Sequence, residues 1–137
     1  MVMSLDSALD SVDRAEEEVV RYAEGAGFGE EDVQKVGMAV RESMVNAVLH
    51  GNRYDPEKKA GVRVEVQNGN LVITITDEGA GFELEDVPDP LANENLLRHS
   101  GRGIFLIRAF MDDVKVRRLA PRGTEVRMVK HKTLASD

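Results

Sequence analysis

Apolar residues recur with helical spacing along the first fifty positions. Between residues 7 and 25 they fall at Ala8, Val12, Ala15, Val19 and Ala23, one face of an amphipathic helix. Asp10, Asp13 and Glu16 to Glu18 put negative charge early in that segment, where the helix dipole favours it. Gly25-Ala-Gly27 stops the helix. A second helix is predicted from about Glu30 to His50, with Gly51 as its C-cap. Val33, Val36, Gly37, Val40, Met44, Ala47 and Val48 form its core-facing band. Opposite them stand Glu42, Asn46 and His50, at i, i+4 and i+8, within one stripe at about 100° per residue. Met38, Ala39 and Leu49 flank the stripe, so the helix is apolar on most of its circumference and reads as buried. A buried carboxylate and amide are costly unless satisfied, so the stripe asks for a hydrated metal ion or a ligand. The alternative is a stripe that simply faces water.

Beyond residue 60 the period becomes two. Val62 to Val66 and Leu71 to Asp77 read as strands, and Asn68-Gly69 between them is a strong hairpin signal. Residues 82–101 carry two prolines, few branched residues and no clear period, as a functional lid does. Gly103 to Met111 reads as a short apolar helix, and Val114 to Leu119 with Thr124 to Val129 as a second hairpin around Ala120-Pro-Arg-Gly123. The order helix, helix, hairpin, loop, helix, hairpin predicts an α+β two-layer sandwich. Its helices lie on one face of a mixed, largely antiparallel sheet, to which a short strand near Val2 to Leu5 adds.

Composition narrows the function more than the fold. A chain of 137 residues with 42% hydrophobic and 31% charged content is expected to form one soluble domain over residues 1–137. It has no apolar run of membrane-spanning length and no basic-then-apolar N-terminal signal, which makes the cytoplasm the expected location. The absence of cysteine excludes disulfides and thiolate metal sites, and 4% aromatic content without tryptophan argues against a base-stacking nucleic-acid platform. Residues 1–50 hold eleven acids and four bases, and residues 101–137 four acids and nine bases. That asymmetry suits charge-complementary protein or phosphate contacts, or merely two solvated faces.

Asp77 shares the parity of Leu71, Ile73 and Ile75, so it points inward, where a carboxylate must find donors. Glu78-Gly79-Ala80-Gly81 follows, with two glycines that admit close approach of a ligand, or only a turn after a strand. Ser100-Gly101-Arg102-Gly103, before Ile104 to Ile107, places glycines ahead of a helix start, where free N–H groups cradle phosphate. No Walker loop or dinucleotide-binding glycine fingerprint occurs. Thr124 shares the parity of Val126 and Met128 and faces inward as a hydroxyl donor or as plain strand filling.

Residues 42–52, 77–82 and 101–113 resemble the N, G1 and G2 boxes of the GHKL superfamily of gyrase, chaperone, histidine-kinase and mismatch-repair ATPase domains. The run Gly103-Ile-Phe-Leu-Ile-Arg-Ala-Phe-Met-Asp-Asp113 and the short length are most similar to the bacterial anti-sigma-factor serine/threonine kinases, over about residues 5–130. The resemblance implies the Bergerat-type ATP-binding fold, with ATP and Mg²⁺ as cofactors. Asn46 would hold the Mg²⁺, whose preference for oxygen ligands suits an amide carbonyl, and Glu42 would be the catalytic base. Asp77 would accept from the adenine amino group, with Gly79 and Gly81 shaping that pocket and Thr124 near the base. Gly101 and Gly103 would be the hinge and phosphate cradle of the lid, with Ile104 beside them. A basic residue at the terminal phosphates falls at Arg98-His99 or at Arg102.

The implied partners are a sigma factor or other output protein and a small anti-anti-sigma-like protein substrate. No direct nucleic-acid or membrane contact is implied, and a homodimer is. The family's sigma-gripping arginine on the first helix corresponds to Arg14 or Arg21, in a region crowded by Glu16 to Glu18. Two other readings stand beside the kinase: a nucleotide-gated binding module without turnover, and a detached histidine-kinase-like ATPase domain. The latter is disfavoured because no dimerisation and phospho-acceptor helix pair precedes the boxes.

Overall fold

The computed structural model describes residues 1–79 and 100–133, and of residues 100–104 only the backbone. In chain order its elements are β1 (Val2–Asp6), α1 (Leu9–Gly25), α2 (Glu30–Val45) continued by a π-helical segment (Asn46–Gly51), β2 (Lys59–Gln67), β3 (Asn70–Asp77), α3 (Ser100–Phe110), β4 (Asp113–Arg118) and β5 (Thr124–Lys130). The strands form one sheet in the order β1-β2-β3-β5-β4. All four pairings are antiparallel, so the sheet expected to be mixed is not, and β1 does join its edge. Among the described residues no helix is long and apolar enough to cross a membrane.

Local chemistry sets the centre of the sheet. Asn68 and Gly69 both take positive φ, 54° and 82°, the requirement of a two-residue turn whose twist matches its strands. The resulting register sends Ala60, Val62 and Val64 of β2, Leu71, Ile73 and Ile75 of β3, and Val126 and Met128 of β5 to one face, all buried. The helices cover that face through Val12, Ala15 and Val19 of α1, Val36, Val40 and Met44 of α2, and Ile107 of α3. Full burial of an Ile or Val side chain contributes about 2 kcal/mol. Gly37 lets α1 close on α2, since a Cβ there would lie 3.2 Å from Val20 Cγ2. Arg41 adds exposed bonds to Asp13 (2.9 Å) and Glu16 (3.1 Å) across the same crossing.

The N-terminal end of α2 is tied to the end of β5 and the residues just after it. Asp32, buried in the first turn of α2, accepts from the backbone N–H of Thr133 (2.9 Å) and from its Oγ1 (2.8 Å). Buried Lys130 lies 4.0 Å from Asp32 and 3.5 Å from Asp112. Burial alone would raise the Asp32 pKa. The two Thr133 bonds, with Lys130 and Lys35, outweigh it and hold the carboxyl below its ordinary value.

Two expectations fail on α2. Met38 is 53% exposed and Leu49 37%, so the helix is not buried around most of its circumference. Gly51 is not a left-handed cap either. It ends the π segment, and positive φ arrives only at Arg53 (52°) and Tyr54 (59°).

Candidate functional site

From Asn46 onward the helix widens. The N–H of Asn46 still reaches the carbonyl of Glu42, but the N–H of Asn52 bonds to Ala47 O at 2.7 Å, five residues back. Single π turns inside helices concentrate at functional sites. The α-helical stripe therefore holds for Glu42 and Asn46, and His50 follows a different periodicity. Asn46 is buried, and its Nδ2 has no hydrogen-bond partner among the described residues. The carboxylate of Glu42, half-buried one turn earlier, makes no hydrogen bond or ion pair with any described residue. Leaving a buried amide unpaired costs about 1–3 kcal/mol, which a ligand can relieve.

The second pole of the site is the end of β3. Asp77 points inward, as its parity predicted, and pairs across the sheet with Thr124. Three glycines surround it. A Cβ on Gly51 would fall on the Asp77 carboxylate, one on Gly79 would fall on the carbonyl of Gly51, and one on Gly123 would stand 2.5 Å from Asp77 O. Burial raises the Asp77 pKa. The N–H groups of Gly79 (3.0 Å) and Thr124, together with the charge of Lys58, pull it back in part. Thr124 is 1% exposed, and its Oγ1 also lacks a partner among the described residues.

Among the described residues, the two unpartnered buried side-chain atoms thus sit on residues that the sequence singled out. Polar atoms of this kind fit a ligand that brings its own donors and acceptors. Asn46 offers an amide to a hard cation or a phosphate, and Asp77 with Thr124 offers an acceptor and a hydroxyl to a polar ring edge.

Gly101, Arg102, Gly103 and Ile104 lie within α3 rather than ahead of it, because the helix begins at Ser100. The glycines therefore belong to its first turn, whose N–H groups still lack acceptors within the helix. The predicted lid over residues 82–101 overlaps α3 at its last two positions. Its remainder, with Arg98 and His99, and also Gly81, lies outside the described residues. Sequence reasoning missed the roles of Gly51, Gly123 and Asn52. Gly123 carried a signal in its turn position, where φ is 113°. Gly51 and Asn52 act on residues far along the chain, and nothing local announces that.

The sequence profile of the histidine kinase-like ATPase domain family matches residues 5–130. Among curated relatives, the anti-sigma F factor of Clostridium acetobutylicum is 35% identical over 112 residues, covering 78% of this chain and 76% of that one. The anti-sigma F factor of Bacillus subtilis is 32% identical over 103 residues, covering 74% and 70%. Among solved structures, the RsbU and RsbW domains of a Mycobacterium tuberculosis protein superpose with a TM-score of 0.73 at 14% identity, covering 99% of this chain and 33% of that one. The histidine kinase domain of a blue-light activated histidine kinase from Erythrobacter litoralis gives 0.57 at 24% identity, covering 73% and 44%. At those identities the two structures bear on the fold alone, and they agree with helices laid on one face of an antiparallel sheet. With its profile match over residues 5–130 and its anti-sigma relatives, the chain belongs to the histidine kinase-like ATPase domain family.

Proposed function

We propose that this chain is an ATP- and Mg²⁺-dependent serine/threonine protein kinase of the anti-sigma type. It holds a sigma factor or another output protein, and it phosphorylates a small antagonist that would otherwise displace it. The observation that carries the reading is buried Asn46, whose side-chain Nδ2 has no partner among the described residues, one turn after a Glu42 carboxylate that has none among them either. The anti-sigma F factors among its relatives support the regulatory half.

In this reading the base is held at Asp77, whose carboxylate accepts from an exocyclic amino group, with the Thr124 hydroxyl beside it. Asn46 holds the cation through its amide oxygen, and the first-turn N–H groups at Gly101 and Gly103 receive phosphate. When bound, Mg²⁺ neutralises charge on the phosphates during transfer. Glu42 would accept the proton of the substrate hydroxyl as its oxygen bonds to the γ-phosphorus and the bond from that phosphorus to the β–γ bridging oxygen breaks, releasing ADP, while Asn46 and the α3 terminus would keep the phosphates in line.

The test is incubation with labelled ATP, Mg²⁺ and the cognate antagonist. Phosphoserine or phosphothreonine is expected on the antagonist, and Glu42→Ala is expected to slow its formation by about 10²–10⁴-fold while ATP still binds. No phosphoprotein, with Glu42→Ala changing nothing, would sink the kinase reading. If partner affinity then still followed nucleotide state, the chain would be a nucleotide-gated binding module. Acid-labile phosphohistidine on a partner would indicate histidine-kinase-like chemistry.

A further inference from the structure

The turn that carries Asp77 is held from outside. Asn52, the residue just after the π segment, is 1% exposed and uses its whole amide. Its Oδ1 accepts from the backbone N–H of Glu78 at 2.8 Å, and its Nδ2 donates to Ser7 Oγ at 2.9 Å and to Lys59 O at 3.0 Å. Ser7 Oγ in turn donates to Lys58 O at 2.5 Å, and Glu78 Oε1 accepts from Lys59 N–H at 2.5 Å. One side chain thereby joins the link between β1 and α1, the start of β2 and the turn after β3.

The residues on either side of these bonds bear directly on the carboxylate. Gly51, just before Asn52, abuts Asp77, while Gly79, just after Glu78, abuts Gly51 and donates to Asp77 Oδ1. A shift of the Glu78 N–H therefore cannot leave the Asp77 carboxylate in place. No hydrogen bond runs from Asn52 to Asn46 or Glu42, so the linkage serves the Asp77 pole and not the phosphate pole.

We propose that Asn52 is a positioning residue for base recognition, an assignment that rests on the nucleotide reading above. By fixing the Glu78 N–H it sets the direction of the Asp77 carboxylate. That direction determines the preference for a purine with an exocyclic amino group over one with a carbonyl at the same place. Sites built around a single buried acceptor discriminate strongly against a ligand that cannot donate to it, because the acceptor is left unpaired.

The experiment is a calorimetric titration of the full chain with Mg²⁺ and, separately, ATP, inosine triphosphate and inorganic tripolyphosphate. The wild-type chain is expected to prefer ATP to inosine triphosphate. Asn52→Leu should weaken ATP about tenfold and move the ratio of the two nucleotides toward one, with tripolyphosphate binding unchanged. Asn52→Asp keeps the acceptor for Glu78 N–H and should retain more of the preference. A folded Asn52→Leu protein with the wild-type ratio overturns the assignment, since a general loss of stability would weaken all three ligands alike. Should that variant not fold, Ser7→Ala, which removes one acceptor of Nδ2, must shift the ratio in the same direction and by less. An unchanged ratio there overturns the assignment equally. A wild-type chain that binds no nucleotide sinks the nucleotide reading and the assignment with it.

Discussion

A buried carboxylate with a raised pKa works against the protein that carries it. Because the Asp77 pKa is higher in the folded chain, its protonated form contributes stability below the ordinary carboxyl range, and that contribution is lost as pH rises through the folded pKa. Asp77→Asn is therefore expected to raise the melting temperature of the free chain at pH 7. The gain should vanish below about pH 3, as differential scanning calorimetry across pH would measure. The same change should weaken ATP by about tenfold or more in a binding titration, because Asn offers an amide where a full carboxylate accepted. Strand parity made the inward turn of Asp77 and Thr124 legible, since alternation is a local property of a strand. The missing partners of Asn46 and Thr124 were not legible, because burial without a partner depends on everything that surrounds the atom.

At the scale of elements, the apolar spacing found α1, α2 and α3 and the strands of both hairpins, and Asn68-Gly69 found the β2–β3 turn. It could not find the π turn, because widening begins where the helix meets β3 and the apolar spacing ahead of it is unchanged. Gly51 illustrates the difficulty. A glycine after a helical run signals a left-handed cap, whereas here the missing side chain makes room for a carboxylate from another element. Gly51→Ala is expected to lower stability by about 1–3 kcal/mol by urea denaturation and to abolish measurable nucleotide binding. The junction of α2 with residue Thr133 yields a prediction of opposite pH sign. The depressed Asp32 pKa gives stability that is present above the ordinary carboxyl range and lost as pH falls through the folded value. Asp32→Ala, which leaves Lys130 buried without its closest α2 partner, should lose about 3 kcal/mol at pH 7 and progressively less below about pH 4.

At the scale of the whole molecule, a ligand that binds only the folded chain stabilises it by mass action. Mg²⁺-ATP at a hundred times its dissociation constant is expected to add about 2.7 kcal/mol, read as a rise in melting temperature that Asn46→Ala removes. The acids of residues 1–50 divide mainly between α1 and α2, and the crossing of these helices already engages Asp13 and Glu16 through Arg41. Arg21 remains 74% exposed beside Glu18 and is a candidate partner contact. Arg21→Glu should slow association with an output protein in a salt-dependent manner and leave ATP affinity alone, as surface plasmon resonance at two ionic strengths would measure.

The pairing of Asp77 with Thr124 also bears on when this pole of the site forms. It exists only once β5, the last described strand, has paired with β3. Such long-range contacts close late and raise the contact order of the fold. A chain ending before Thr124 would contain Glu42, Asn46 and Asp77 and still lack the strand against which the end of β3 is set, so on the proposed reading nucleotide binding would report that β5 has docked.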